Sequence, residues 1–384
     1  IGGIRLGLEI ALSENKIESE CVLSSEIDKE ASEVYKKNFK EDSLLDIKCI
    51  KKLPEHDLLL AGFPCQAFSV AGYRKGFNDP RGNLFFQTAR FIDAIKPKAF
   101  CLENVKNLHG HDNGNTIKVI EDTILNELGY SFVPFVLNSK KYGNIPQTRE
   151  RIYIVGFRDE ASENNLCSSN FRIPDEIPLT TKIRDLIYKD KQDEKYYYGK
   201  EHSYHPHLEK AMKSNETVYQ WRRHYVRENK SNVCPTLTAN MGTGGHNVPL
   251  IRDNFGYRKL TPKECTRFQG FPNSFTFPAE MANSHCYKQA GNSVVVPVIK
   301  RIADEMIRVM NIKYDDLSEP ETPPIKSIDP KRLPEAQQLN YRLFLYNYER
   351  AVLAQKFDSH LLVFGQRGGI QLEHETTEGL IFQN

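Results

Sequence analysis

Cys65 is the residue in this sequence best placed to act as a nucleophile. It lies in the segment Gly62-Phe63-Pro64-Cys65-Gln66, which directly follows a short apolar run typical of a buried strand. A strand that stops at Gly and Pro presents the next side chain at the carboxyl edge of a sheet, where open α/β folds bind ligands. Free cysteines are more often buried and structural, so the neighbouring side chains must decide between the two interpretations.

Acidic and basic side chains are predicted at the same edge of the sheet. Glu103 ends a second apolar strand, and Arg149 and Arg151 precede a third. Alternate residues of a strand share a face, so the two arginines are predicted to point the same way. A cysteine beside an acid can perform covalent catalysis assisted by proton transfer, and nearby guanidinium groups favour the thiolate. The alternative is an edge strand with a solvated basic face.

The amino-terminal residues are typical of a nucleotide-like binding pocket. Gly2 and Gly3 precede a helix-like stretch, and such glycines let backbone N–H groups face a ligand closely. Glu26, at the predicted end of the next strand, has the spacing of a ribose-hydroxyl acceptor. Asp46 and Ile47, at a third strand end, could contact an adenine. A solvated surface glutamate and plain turns are the alternatives for these positions.

Strand-like and helix-like patterns alternate over the first 160 residues, which predicts an α/β domain with a mostly parallel sheet. From 161 to 284 polar, aromatic and histidine residues mix without clear period, which indicates a smaller, mainly β or irregular domain. Residues 313–384 begin with a proline-containing linker and have no assigned role. The predicted strands are Cys21–Leu23, Leu58–Ala61, Ala99–Leu102 and Ile152–Val155, and the predicted helices are an Asp28-capped helix, Arg90–Ile95, Thr116–Leu128, Leu260–Phe271 and Val294–Met310.

Composition narrows the class of protein. The 384 residues predict two or three domains at about 150 residues each, and 52 basic against 50 acidic residues give a net charge of +2. Eight cysteines without a C-x-x-C pair indicate reduced thiols of a cytoplasmic protein, with neither disulfides nor a metal site. No apolar run reaches the ~18 residues of a membrane span. The start at Ile1-Gly2-Gly3, within a glycine-rich turn, favours a truncated fragment.

The motifs together have a recognisable order. Over about residues 1–312 the chain resembles the bacterial cytosine-C5 DNA methyltransferases of restriction–modification systems. The motifs that carry the resemblance are Gly2-Gly3, Glu26, Asp46, Pro64-Cys65-Gln66, Arg81-Gly82-Asn83-Leu84-Phe85, Glu103-Asn104-Val105, Gln147-x-Arg149-x-Arg151, Arg258-Lys259-Leu260-Thr261-Pro262 with Glu264, Gln269-Gly270-Phe271-Pro272 and Gly291-Asn292-Ser293-Val294.

The resemblance implies a fold, a reaction and roles for four residues. It implies a Rossmann-like S-adenosylmethionine-dependent domain at 1–160 and 285–312, whose first strand would precede Ile1, and a target-recognition domain at 161–284. The reaction is methyl transfer to C5 of a flipped-out cytosine in double-stranded DNA, leaving S-adenosylhomocysteine. Cys65 would attack C6, Glu103 would hold and protonate the N3 side, and Arg151 with Arg149 would contact the O2 region.

Binding residues, partners and location follow from the same resemblance. It implies a monomer in the bacterial cytoplasm that works beside a cognate restriction endonuclease without a stable complex, and that uses no metal and no membrane. The implied cofactor residues are Gly2, Gly3, Glu26, Ile27, Asp46, Ile47, Pro64, Leu84, Asn292 and Val294. The implied DNA contacts are Gln66, Ser69, Arg81, Arg222, Arg223, Thr238, Gly242, Gly244 and Gly245.

Two other functions remain open at this point. One is an RNA-directed relative, because a branch of this fold methylates the cytosine C5 of transfer RNA. The other is a catalytically silent DNA-binding module. A sizeable variable region and the bacterial motif style argue against the RNA-directed relative, whereas a biological truncation would favour the silent module.

Overall fold

A computed structural model of the chain describes residues 1–64, 84–158, 167–222, 224–243 and 247–310, which fall in one compact unit, Ile1–Tyr314. The strands are β1 Leu58–Gly62, β2 Ala99–Val105, β3 Val133–Asn138, β4 Gln147–Thr148, β5 Glu150–Phe157, β6 Tyr219–Arg222, β7 Tyr225–Glu228, β8 Cys234–Pro235, β9 Leu250–Arg252 and β10 Tyr257–Lys259. The α-helices are α1 Gly3–Glu14, α2 Lys29–Phe39, α3 Leu84–Ile95, α4 Asn115–Asp122, α5 Ser139–Tyr142, α6 Cys167–Asn170, α7 His205–Ala211, α8 Pro262–Arg267, α9 Asn283–Asn292 and α10 Val296–Met310.

The main sheet has the strand order β1-β2-β5-β3. β1 pairs with β2 in parallel, whereas β5 runs antiparallel to both β2 and β3. The sheet is therefore mixed, and the expectation of mostly parallel pairing is wrong for the described strands. The chain between β3 and β5 is short and contains only the one-turn helix α5 and the two-residue strand β4, whereas a parallel crossover needs a dozen or more residues.

Side chains of β2 alternate between two apolar layers, as the period of a strand requires. Phe100 and Leu102 pack into a core with α3 and α4, whereas Ala99 and Cys101 pack into a second core with α10. The sheet is thus buried on both faces between helices. This burial fixes the register of β2 and therefore the position of the polar residues at its carboxyl end.

Most predicted helices are present with shifted bounds. The Asp28 carboxylate accepts a hydrogen bond from Ala31 N–H at the start of α2, as expected of a cap. The helix predicted from Arg90 begins earlier, at Leu84, and the helix predicted after Thr116 continues from α4 into a π-turn segment, Thr123–Glu127. The helix predicted over Leu260–Phe271 is confined to α8, which begins at a capping box formed by Thr261 and Glu264.

The strand predicted at Cys21–Leu23 is not formed. The segment carries no strand assignment, and only Glu26 makes an isolated parallel bridge, to Leu44. Apolar character alone does not form a strand, because the backbone needs a partner to complete a ladder of hydrogen bonds. Within the described residues, the edge of β1 that does not face β2 also has no strand partner.

The described part of 161–284 contains the helices α6, α7 and α8, irregular connections and short strands. Four of them form a sheet in the order β10-β9-β6-β7, and β4 and β8 pair in parallel. The β4–β8 pairing joins this region to the chain that leads into β5. Among the described residues, no helix is both long and apolar enough to cross a membrane.

Candidate active site

A large cavity of ≈ 1950 Å³ opens where β1 and β2 end. It is lined by all ten residues predicted to bind the cofactor, namely Gly2, Gly3, Glu26, Ile27, Asp46, Ile47, Pro64, Leu84, Asn292 and Val294. Glu103, Arg149, Arg151 and Thr238 line the same cavity. Residues separated by most of the chain thus meet around one space, although their individual roles stay predictions.

Glu103 and Arg151 form the charged centre of the cavity. The Arg151 Nε lies 3.0 Å from the Glu103 Oε1, with only 16% and 15% of the two side chains exposed. The antiparallel register of β2 and β5 explains the contact, because Val105 pairs with Arg151 and Glu103 pairs with Tyr153. Burial raises the pKa of the Glu103 carboxyl, while the positive charges of Arg151 and Arg149 oppose that rise. The site therefore holds an acid that can carry a proton, beside a cation that can bind a carbonyl oxygen.

Arg149 has different partners from Arg151, although both act electrostatically on Glu103. Its guanidinium donates to the backbone carbonyls of Leu237, Gly291 and Ser293, and the side chain is buried. Burial, and then the charge of Arg151, lower the pKa of Arg149 to about 9, so the group is still cationic at neutral pH.

Asn104 is a residue of the site that the sequence reasoning missed. Its buried Nδ2 donates to the Phe63 carbonyl at 2.7 Å, and its Oδ1 accepts from Val105 N–H at 2.8 Å. The amide thus fixes the backbone one residue before Pro64, where β1 leads into Cys65. Its position between Glu103 and Val105 in a motif already noted was a usable signal, since an Asn at a strand end can bond to backbone.

Cys65 itself lies outside the described residues, so the argument for it rests on the sequence. Cys101 is the described cysteine that shares a strand face with Glu103, but burial raises the pKa of its thiol to about 12. Burial likewise raises the pKa of the Cys286 thiol to about 11. The thiolate is the nucleophilic form of cysteine, so neither is suited to attack at neutral pH.

Local geometry explains why glycine suits positions 2 and 3. Gly2 has φ +83° at the start of α1, a conformation that suits glycine, and a Cβ at Gly3 would lie 2.8 Å from the Ser293 Oγ. The start of α1 therefore lies close to the Ser293–Val294 wall of the cavity. The first N–H groups of a helix have no partner within it and attract anions.

Acidic and apolar groups lie on the facing wall. Glu26 is held by backbone hydrogen bonds to Ser43 and Leu45, and its Oε1 accepts from Asp28 N–H at 2.9 Å. Asp46 caps the 3-10 turn Ile47–Cys49. Ile27 is 67% exposed and lines the cavity. Carboxylate acceptors, helix N–H groups and an apolar side chain fit the diol, the carboxylate and the base of S-adenosylmethionine.

The predicted DNA contacts are only partly described. Arg222 is exposed at the end of β6, and Thr238 is exposed on the cavity wall. Gly242 packs closely against the Ser284 carbonyl, which gives this glycine a packing role. The remaining predicted contacts, Gln66, Ser69, Arg81, Arg223, Gly244 and Gly245, lie outside the described residues.

Comparison with known proteins places the chain in a family. A family model described as C-5 cytosine-specific DNA methylase matches residues 1–308. The chain belongs to this family. The resemblance inferred from the motifs is therefore confirmed, and the protein is a DNA cytosine-C5 methyltransferase.

Relatives of this DNA methylase include Type II methyltransferases. M.Bsp6I of Bacillus sp. (strain RFL6) is 55% identical over 316 residues, covering 81% of this chain and 96% of the relative. M.HhaI of Haemophilus parahaemolyticus is 41% identical over 328 residues, covering 82% and 93%. A mutant of Spodoptera frugiperda DNMT2 shares the fold, with a TM-score of 0.57 at 21% identity, over 80% of this chain and 97% of that one.

Asn104→Ala is expected to lower kcat of this methylase by about 10²-fold, because misplacing a reacting group by about 1 Å has that effect. The Phe63 carbonyl would lose its donor, and the turn that carries Cys65 would gain freedom. Steady-state rates with labelled methyl donor measure the effect. Asn104→Asp keeps the acceptor for Val105 N–H, but it loses the donor and adds a buried carboxyl group, so its kcat should fall at least as far as that of Asn104→Ala. An Asn104→Asp variant with the wild-type kcat would show that the Phe63 hydrogen bond is dispensable.

Proposed function

We propose that this methylase transfers the methyl group of S-adenosylmethionine to C5 of a cytosine flipped out of double-stranded DNA, through a covalent bond between Cys65 and C6. One observation carries the proposal. The residues implied for the cofactor and the Glu103–Arg151 pair line a single cavity at the end of β1, which stops three residues before Cys65. A nucleophile, an acid and a methyl donor would then all reach the same base.

The chemistry follows from the weak nucleophilicity of C5. Attack of the Cys65 thiolate on C6 forms an S–C6 bond and an enamine, whose electron density at C5 takes the methyl group. Loss of the C5 proton to a base and breaking of the S–C6 bond restore the ring. S-adenosylmethionine supplies an electrophilic methyl group on its sulfonium sulfur.

Glu103 and Arg151 have distinct tasks in this scheme. Protonated Glu103 would donate to N3 and draw electron density from C6, which makes C6 more electrophilic. Arg151 would bind O2 of the base through its remaining N–H groups. Arg149 would support Glu103 and Arg151 without binding the base, because its Nη groups already donate to backbone carbonyls.

Residues of both walls would hold the cofactor. The N–H groups at Gly2 and Gly3 suit its carboxylate, Glu26 suits the ribose diol, and Asp46 with Ile27 suits the adenine. Ile47, Pro64, Leu84, Asn292 and Val294 would complete the pocket.

Base flipping and sequence recognition belong to the same proposal. C5 and C6 cannot be reached inside a stacked duplex, so the target nucleotide must leave the helix at a cost of a few kcal/mol. We assign recognition to 161–284 as a target-recognition domain, with 1–160 and 285–312 as the catalytic domain. The relatives' Type II character supports a partner endonuclease in the same restriction–modification system.

Transfer of a labelled methyl group tests the proposal. The full chain is incubated with methyl-labelled S-adenosylmethionine and with duplex DNA, single-stranded DNA or transfer RNA. Label at cytosine C5 of duplex DNA is the expected result, and bisulfite sequencing of DNA from expressing cells then identifies the target sequence. Label in transfer RNA alone, or in no nucleic acid, would refute it.

The pH dependence of the reaction tests the role of Glu103. Arg151 lowers the pKa of the Glu103 carboxyl, so Arg151→Met should raise it, because removal of a neighbouring cation disfavours the carboxylate. If the protonated form reacts, the single-turnover rate falls as pH rises through this pKa, and in Arg151→Met the fall begins at higher pH. Carbon-13 NMR of the labelled carboxyl measures the pKa directly.

A matched control removes a nearby cation that pairs with another acid. Lys106 forms an exposed pair with Glu150 at 2.9 Å, and Lys106→Met should leave the Glu103 titration unchanged. An Arg151→Met variant whose Glu103 titrates at the wild-type pH or lower would contradict the assignment of Arg151 as its charge partner.

A further inference from the structure

Arg149 lies at a buried junction of three chain segments. Gln147 and Arg149 precede β5, Leu237 belongs to the proposed recognition region, and Gly291 and Ser293 flank Asn292 on the cavity wall. Gln147, Arg149 and Gln269 are all essentially buried. Buried polar groups of this kind need every partner satisfied, so a loss at any one of them is costly.

The side chains of Gln147 and Arg149, two residues apart, bind the N–H and the carbonyl of Leu237. The Gln147 Oε1 accepts from Leu237 N–H at 3.0 Å, and the Arg149 Nη1 donates to the Leu237 carbonyl at 2.8 Å. The preceding residues pair in the β4–β8 ladder, and the Thr236 hydroxyl donates to the Thr148 carbonyl at 2.5 Å. The recognition region is thus fixed to the catalytic sheet immediately before Thr238.

The Arg149 guanidinium also binds the segment on either side of Asn292. The Arg149 Nη1 donates to Gly291 at 3.2 Å, and its Nη2 donates to Ser293. Gln269 adds a hydrogen bond to the Ala290 carbonyl at 2.7 Å. One planar fork therefore bonds to carbonyls of two neighbouring segments, which a lysine cannot reproduce because its ammonium is a point charge.

Close packing holds the segments 237–238 and 291–293 against each other. A Cβ at Gly291 would overlap the Thr238 backbone carbonyl, so the two segments touch directly. Thr238, Asn240, Asn292 and Val294 all line the cavity beside this contact. Any shift of Leu237 would tilt the guanidinium and release Gly291 or Ser293.

We propose that Arg149 is a positioning residue that couples binding of DNA at Thr238–Asn240 to binding of the methyl donor at Asn292–Val294. The proposal rests on the proposed function. Because coupling between two sites is reciprocal, bound DNA should tighten the cofactor site as much as bound cofactor tightens the DNA site. Arg149 then sets affinities, whereas Glu103 and Arg151 act on the base.

Calorimetric titration of S-adenosylhomocysteine into the full chain tests this proposal, with and without a saturating duplex that carries the methylated sequence. We expect DNA to tighten wild-type binding by about tenfold, within the usual range of coupling. In Arg149→Lys this ratio should fall close to one. KM for the donor in the presence of DNA should rise by a similar factor, and this rise should exceed any fall in kcat at saturation.

Two further variants separate the fork from general packing. Thr236→Val removes a hydrogen bond from the same segment and leaves the guanidinium intact, so it should keep the wild-type coupling ratio. Gln147→Met releases Leu237 N–H and also removes the hydrogen bonds from the Gln147 amide to the Phe268 carbonyl and to Gln269. It leaves the guanidinium intact and should lower the ratio partly, which provides a second test if Arg149→Lys folds poorly. Urea midpoints of all variants show which ones fold normally.

The outcomes distinguish this inference from the proposed function. Absence of methyl transfer by the wild-type protein counts against the function. Transfer with equal S-adenosylhomocysteine affinity with and without DNA counts against the coupling alone. A wild-type ratio in Arg149→Lys, an equal loss in Thr236→Val, or a collapse of kcat with coupling retained would each overturn the positioning role.

Discussion

Cys65→Ser is expected to lower methyl transfer on the order of 10⁴-fold or more, as loss of a catalytic nucleophile does in other covalent enzymes. A free thiol has a pKa of about 8.5 and provides some thiolate at neutral pH, whereas a serine hydroxyl does not ionise there. Labelled methyl transfer measures the rate. Duplex binding by the variant should be within about threefold of wild type, because the hydroxyl is close in size to the thiol.

A mechanism-based duplex sharpens this test. A fluorine at C5 cannot leave as a proton does, so a 5-fluorocytosine target should trap the enzyme on DNA after methyl transfer, as a denaturation-resistant adduct. Wild type should form it and Cys65→Ser should not. Cys49→Ser makes the same chemical change at an exposed cysteine outside the proposed site and should behave as wild type. Full activity in Cys65→Ser would end the covalent proposal.

The sequence predicts the meeting of Glu103 and Arg151 because both lie at strand ends. β1 and β2 are apolar runs that stop at polar motifs. Successive side chains of a strand point to opposite faces of the sheet, which determines the face that each side chain occupies. The direction of β5 was missed, although residues 139–149 are too short for a parallel crossover. Strand Val133–Asn138, needed to complete that argument, was not predicted from its pattern.

The partners of Arg149 could not be predicted, for a physical reason. They are backbone carbonyls of Leu237, Gly291 and Ser293, and a carbonyl is present at every residue, so no side-chain type marks it. The Asn104–Phe63 hydrogen bond was missed for the same reason. Sequence patterns thus predicted the charged groups that meet in the cavity, and the structure adds the neutral backbone contacts that hold them.

Glu264→Ala is expected to reduce the free energy of unfolding by about 3–5 kcal/mol, because it leaves a buried cation without its partner. Arg258 and Glu264 are both completely buried and joined by two hydrogen bonds of 2.8 Å. Glu264 also accepts from Tyr188 N–H and Thr261 N–H, and Asp253 pairs with the Arg258 Nε at 2.6 Å. Burial lowers the pKa of Arg258, and Glu264 and Asp253 together raise it above its ordinary value. A guanidinium stays charged in proteins, so the substitution leaves a buried cation that has lost one of its two carboxylates. Urea unfolding with an unchanged m value measures the loss.

Glu194→Ala, which removes the partner of Lys191 in an exposed pair, should alter the free energy of unfolding by less than about 1 kcal/mol. A Glu264→Ala variant as stable as Glu194→Ala would mean that water or a rearranged Asp253 replaces the lost carboxylate, and that the ion pair does not hold β10 to α8.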